Sequence, residues 1–258
     1  MDAEIKEFIE KNIDLIERED FEKLYEIINN GSGTGGMHRA VFTCKFTETL
    51  LEAGIDPTKY MKEIPQDYLK GASIQSYVIP SNITSIGDEA FYGCSELMSV
   101  TIPNSVTLIG DSAFSDCSSL TSITLPDSIT HIGGYAFDGC RGLTGIIIPD
   151  KVTFIGYSAF EDCRNLTGIT IPGGVTSIYD WTFQNCTDLA QVTLPSSVIQ
   201  IASTAFLGCV NLKSINYLGT REQWKKIKKV FNWKKHTSLK EIKCADGIIK
   251  FPTRNVQD

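Results

Sequence analysis

The sequence predicts an α/β solenoid of stacked coils, each holding a short strand, closed by a helical cap at the N-terminal end and a lysine-rich cap at the other. Three columns predict it. Cys94, Cys117, Cys140, Cys163, Cys186 and Cys209 recur every 23 residues, as do Pro80, Pro103, Pro126, Pro149, Pro172 and Pro195. Phe91, Phe114, Phe137, Phe160, Phe183 and Phe206 form a third column with the same period. A fixed period of this size marks an array whose units bury their apolar residues only by stacking. With 258 residues, 42% hydrophobic and 21% charged, the chain has the apolar content for a core. It has no apolar run near the about 20 residues that a membrane span needs.

Residues 1–70 read as a helical cap domain. Ile5, Phe8, Ile9, Ile13 and Ile16 follow helical spacing, and Asp20 is placed to cap a second helix bearing Phe21, Leu24, Tyr25 and Ile28. Asn30-Gly31 ends it. A shorter helix is predicted over 47–53, closed by Gly54, and Asp56-Pro57 starts a further turn. The intervening Gly31-Ser-Gly-Thr-Gly-Gly36 contains GxGxxG, but it follows a helix, with no strand before it, and reads as a loop rather than a dinucleotide site.

One unit, residues 106–128, shows how residues 71–217 are built. Val106, Ile109, Ala113, Phe114, Cys117, Leu120, Ile123 and Leu125 recur as apolar or small residues and form the candidate core. Leu120 to Pro126 reads as a β-branched strand stopped by proline, which has no N–H to extend a ladder. The piece beginning Ile83-Thr-Ser-Ile-Gly87, with its repeats, reads as a second extended segment. Eight cysteines invite a disulfide framework, but regular spacing makes the column cysteines small buried hydrophobes with free thiols.

The unit resembles the leucine-rich repeat of the BspA-like family, also called the Treponema pallidum type, through its SIG..AF..C..L..I.IP pattern. The resemblance implies a curved leucine-rich repeat solenoid with a parallel sheet on its concave side. Seven aligned strands, from 74–79 to 212–217, would span roughly 30 Å at the usual strand spacing. Tyr179 and Ala202 depart from the pattern's glycine and Thr182 from its alanine. Residues 218–258 follow the family's closing segment in Tyr217-Leu-Gly-Thr-Arg-Glu-Gln-Trp224 and Ile242-Lys-Cys-Ala-Asp-Gly247. That implies an α/β cap in which Trp224, Ile227 and Trp233 cover the last coil.

No catalytic constellation is legible. His38, His131 and His236 stand far apart with no metal-ligand spacing, there is no GxSxG elbow, and the cysteine period is not that of a zinc or redox site. The expectation is a protein without enzymatic activity, cofactor or metal. Residues 1–10 show no basic stretch followed by an apolar one, so no secretion signal is predicted and a cytoplasmic protein is expected.

Leucine-rich repeat proteins commonly bind through the concave sheet, yet its outward columns here are plain. One runs Ser76, Ser99, Ser122, Gly145, Gly168, Gln191 and Ser214; its neighbour is mostly threonine, with Val78 and Ile147. These offer few of the aromatic or arginine anchors that dominate interfaces. The anomaly lies elsewhere: His131, Tyr135, Phe154, Tyr157, Tyr179 and Trp181 occupy repeat positions that are otherwise small or polar. Gathered in the third to fifth coils, they are the candidate partner-binding residues of a protein-interaction module. The phrase DPTKYM…IP..YLKG at 56–71 is similar to short intracellular relatives in Gram-positive gut bacteria and their phages, which implies a phage-encoded or host-directed inhibitor.

Charge supplies the alternative. The net charge is −6 over 1–70, −9 over 71–212 and +8 over 213–258, for a total of −7. Lys225, Lys226, Lys228, Lys229, Lys234 and Lys235 therefore form a candidate anion- or nucleic-acid-binding patch. A threonine column, Thr84, Thr107, Thr130, Thr153 and Thr176, raises a third reading, binding to ice or a crystal surface.

Overall fold

In a computed structural model of the chain, residues 3–17, 20–29, 39–230, 233–234 and 236–251 are described. Each 23-residue unit closes one coil because proline and glycine fix its corners. The proline that stops a strand also begins the next turn: the carbonyls of Pro103, Pro126 and Pro149 accept from the N–H of Val106, Ile129 and Val152 at 3.0–3.1 Å. At the glycine of the SIG motif the coils nearly touch. A Cβ at Gly133 would lie 2.6 Å from backbone of the coil below, and one at Gly156 2.4 Å, so a side chain there must displace backbone.

Stacking joins the coils into two parallel ladders. The first comprises three runs, Ser76–Val78 with Ser99–Thr101, Ser122–Ile123 with Gly145–Ile146, and Gly168–Thr170 with Gln191–Leu194 and Ser214–Tyr217, each residue facing its repeat equivalent. This is the sheet expected on the concave side. It does not end with the repeats: Glu241–Cys244 adds in parallel and Gly247–Lys250 folds back antiparallel to close the edge. The second ladder runs through the SIG segments, from Glu63–Ile64 and Ser85–Ile86 to Phe154–Ile155. It resumes as Ser177–Ile178, Gln200–Ile201 and Lys228–Lys229. The pairing is interrupted between Phe154–Ile155 and Ser177–Ile178, the step at which Tyr179 replaces the glycine. Ala202, with the smallest added side chain, keeps its N–H on the Ile178 carbonyl at 2.9 Å.

Between the ladders lies the repeated core. The phenylalanine rings of successive coils stack at 5.2–5.7 Å with interplanar angles of 4–9°. All six rings are fully buried. The cysteines do more than fill space. Each thiol donates to a carbonyl of the coil below, Cys117 to Phe91, Cys140 to Phe114 and Cys163 to Phe137, at 3.1–3.2 Å. Burial pushes these thiols up, to about 12 at Cys94 and Cys209 and higher between them, so they are poor nucleophiles.

Helices α1 (Ala3–Lys11), α2 (Ile13–Glu17), α3 (Phe21–Asn29) and α4 (Arg39–Glu52) form the N-terminal cap. The helix expected from residue 47 starts earlier, at Arg39; its apolar residues are not confined to one stripe, so apolar periodicity does not mark its start. Gly54 closes it with φ +79°. Asp56 caps the short 3-10 turn Pro57–Tyr60, accepting from the Thr58 N–H at 3.0 Å. The cap is joined to the solenoid by aromatic contact. Phe8, Phe46, Tyr25, Tyr68 and Tyr77 lead, at centroid distances of 5.3–6.0 Å, into Phe91. At the other end, Thr220 and Gln223 form a capping box that starts α5 (Arg221–Lys226). It sets Trp224 edge-on to Tyr217 at 5.2 Å, with Trp224 and Ile227 buried and Trp233 packed beside them. The glycine-rich segment at 31–36, His38 and Lys235 lie outside the described residues.

Candidate functional site

The six aromatic candidates come from the second ladder and the turn that follows it. His131 and Phe154 face each other in the ladder register, their rings stacked at 4.3 Å and 9°. Phe154 also meets Tyr179 at 5.6 Å. One turn away, Tyr157 lies over Gly134, where an added Cβ would come within 3.1 Å of the ring, and meets Tyr135 edge-on at 5.0 Å. Five of the six therefore form two ring groups, and among the described residues Trp181 stands apart from both. Tyr157, Tyr179 and Trp181 stand 46%, 36% and 41% exposed, and His131, Tyr135 and Phe154 are half-buried.

Tyr135 and Trp181 sit in a strained backbone column. Glu89, Ser112, Tyr135, Ser158 and Trp181 all have φ between +53° and +60°. A left-handed conformation costs a residue with a Cβ about 1 kcal/mol or more, and bulky residues occupy it least readily. The coil imposes this turn; it does not require an aromatic there, since Ser112 and Ser158 satisfy it. The Trp181 turn is held from the next coil: Thr204 Oγ accepts from the Trp181 N–H at 3.1 Å and donates to Asp180 at 2.6 Å. Asp111 and Asp180 occupy the repeat position of Tyr157, so carboxylates flank the rings.

Leu108 joins this zone, although its chemistry in the sequence is that of a core residue. It occupies the register position before His131 and is 38% exposed, which extends the apolar row to Leu108–His131–Phe154. Its place in the 23-residue register was the available signal. On the first ladder the expected outward columns are exposed or half-buried throughout, with Ile147 84% exposed as an isolated apolar tip. The threonine column serves the fold itself, since Thr107, Thr130 and Thr153 each direct Oγ to the preceding threonine's carbonyl at 3.2–3.4 Å.

The lysine patch is partly committed within the fold. Lys229 donates to the carbonyls of Trp224 and Ile227 at 2.6 and 2.8 Å and lies over the Trp224 ring, and burial holds its ammonium below the usual lysine range. Lys225 pairs with Glu222 at 2.6 Å, and Lys234 lies over the Phe251 ring. The cleft beside them, about 790 Å³, is lined by Arg221, Lys225 and Lys229 but equally by Glu222 and Asp246, and Arg221 pairs with Asp246. Among the described residues no three His, Cys, Asp or Glu side chains could hold a metal ion, and no helix is long and apolar enough to cross a membrane.

Comparison with known proteins agrees with this architecture. A family model described as the BspA type leucine rich repeat region matches in six copies, over residues 62–187 and 107–237. The T. pallidum leucine-rich repeat protein is similar in structure, with 35% identity and a TM-score of 0.56 over 59% of this chain and 72% of that one. A leucine-rich cell surface protein of Faecalibacterium prausnitzii shares 31% identity with a TM-score of 0.53, over 65% of this chain and 54% of its own. A leucine-rich repeat protein of Eubacterium ventriosum, at 24% identity and TM-score 0.56, shares the fold over 77% of this chain and 50% of its own. No curated protein matches this chain.

Proposed function

The chain belongs to the BspA-type leucine-rich repeat family, and we propose that it is a non-enzymatic protein-interaction module whose contact surface is the second ladder and its following turn. The observation that carries the reading is where the large side chains sit. A solenoid needs its phenylalanine column inside; it does not need Tyr157, Tyr179 and Trp181 exposed, with Phe154 half-buried beside them, at positions where serine, glycine or aspartate serve other coils. Aromatic side chains on a rigid frame supply large contact area at little conformational cost, which is how interface anchors work. A phage-encoded or host-directed inhibitor is one form of such a module. A cytoplasmic site of action suits thiols that stay unpaired, and fractionation of the source cells tests it. The lysine-rich cap is the weaker surface, because Lys225, Lys229 and Lys234 already have partners within the fold.

The test is an affinity capture from lysate of the source cell, run with and without nuclease and at low and high salt. Wild-type protein is expected to retain a protein in all four conditions. The double variant Phe154→Ser/Trp181→Ser is expected to lose it while keeping its melting temperature. Retention by that variant would move the interface elsewhere, and recovery of nucleic acid that disappears at high salt would move it to the lysines from Lys225 to Lys235.

A further inference from the structure

The register of the second ladder gives this surface an internal symmetry. Its outward row has eight positions, from Glu63 at the first coil to Lys228 at the last, each paired or aligned with the next. His131 and Phe154 are its fourth and fifth members, so the stacked pair sits at the middle. Counting outward, Leu108 is matched by Ser177, and Glu63 by Lys228. Both end residues are exposed. Inverting the row end for end would therefore bring acid to base at both ends and ring to ring at the centre.

We infer that the occupant of this surface is a second copy of the chain, packed antiparallel about a two-fold axis between His131 and Phe154. The inference rests on the reading of the second ladder as the contact surface and names its partner. A two-fold interface uses one patch twice, so it needs a patch that complements its own inverse. Here the centre is a stacked ring pair and the ends carry opposite charge, the arrangement of anchors inside and charges at the rim that specific interfaces share. The larger charge pattern runs the same way at the ends, since antiparallel copies place each basic end, +8 over 213–258, beside the other's N-terminal region, −6 over 1–70. Seven strand steps make the row about 34 Å long. With the flanking turn the face covers roughly 500 Å² per copy, the lower end of specific interfaces, so the dimer is expected to form in the micromolar range.

Sedimentation equilibrium of the full chain across that range tests this. Wild-type protein is expected to dimerise, more weakly at high salt. Phe154→Ser meets the axis twice and is expected to weaken association about a hundredfold. Glu63→Lys and Lys228→Glu, both on exposed side chains, each place like charges together at both ends and are expected to weaken it about tenfold. Mixed in equal amounts, these two variants pair with restored affinity, because every end then meets its opposite. A wild-type chain that stays monomeric, a dimer indifferent to Phe154→Ser, or charge variants that fail to restore each other would overturn the inference. If the chain is monomeric while Phe154→Ser/Trp181→Ser still loses a captured protein, the surface stands and only its occupant is different.

Discussion

The interior phenylalanine column and the second-ladder row are built on one period and put it to opposite uses. Inside, six identical rings stack within a few degrees of parallel, and repetition is what makes the stack possible. Outside, the row changes residue at every coil while its backbone register is kept. Stability in this molecule thus resides in what recurs, and the proposed contact surface in what departs. The ladder pairing is interrupted at the step where Tyr179 stands for glycine.

The largest effect is expected from Phe137→Ala, which strikes the recurring part. A ring stacked on both sides is removed, and the loss is expected to be about 3–5 kcal/mol by chemical denaturation. Asp138→Asn probes a repeat position where stacking works against the fold. The Asp138 carboxyl is pushed up to about 7, first by burial and then by Glu161, Asp116 and Asp162, from an ordinary value of 3.8. Folded protein thus holds this proton more tightly than unfolded chain. The stability so gained is full below about 4 and lost as the pH rises through 7. The asparagine variant is expected to be about 1–2 kcal/mol more stable than wild type at pH 8, allowing for solvent screening of a half-buried group, and unchanged at pH 4. Melting curves at the two pH values check both magnitude and sign.

Cys163→Ala is expected to cost about 1–2 kcal/mol, and Cys163→Ser less, because the serine retains a donor for the Phe137 carbonyl. Equal losses in the two variants would reduce the cysteine to a space-filler. The smallest stability effect is expected from Phe154→Ser/Trp181→Ser, within about 0.5 kcal/mol of wild type. A large loss there would erase the distinction between the two regions.

The interior was legible in the sequence almost residue by residue, because a core position constrains residue type at every coil. Val106, Ile109, Phe114, Cys117 and Leu120 are all buried as the pattern requires. What side-chain type does not encode was missed. The bond from each thiol to a carbonyl one coil below depends on stacking offset, and the spacing alone made cysteine a hydrophobe. Leu108 reads as core from its chemistry and as surface only from its register. Lys229 belongs to a charged run in the sequence, yet the end of α5 beside it turns its ammonium onto two carbonyls. The aromatic zone was visible as an anomaly, but its division into two ring groups followed from which strand or turn each residue occupies.

The thiol column also makes each coil observable. From Cys94 to Cys209 every coil carries one buried sulfur. Alkylation needs thiolate and access, so a coil reacts only when it opens. Because each coil touches only its neighbours, opening is free to start at an end and spread. Cys244, partly buried against the end of the solenoid, lies outside this column and gives a comparison within the same chain. The order in which the six sulfurs are labelled is therefore a record, coil by coil, of the direction in which the molecule comes apart.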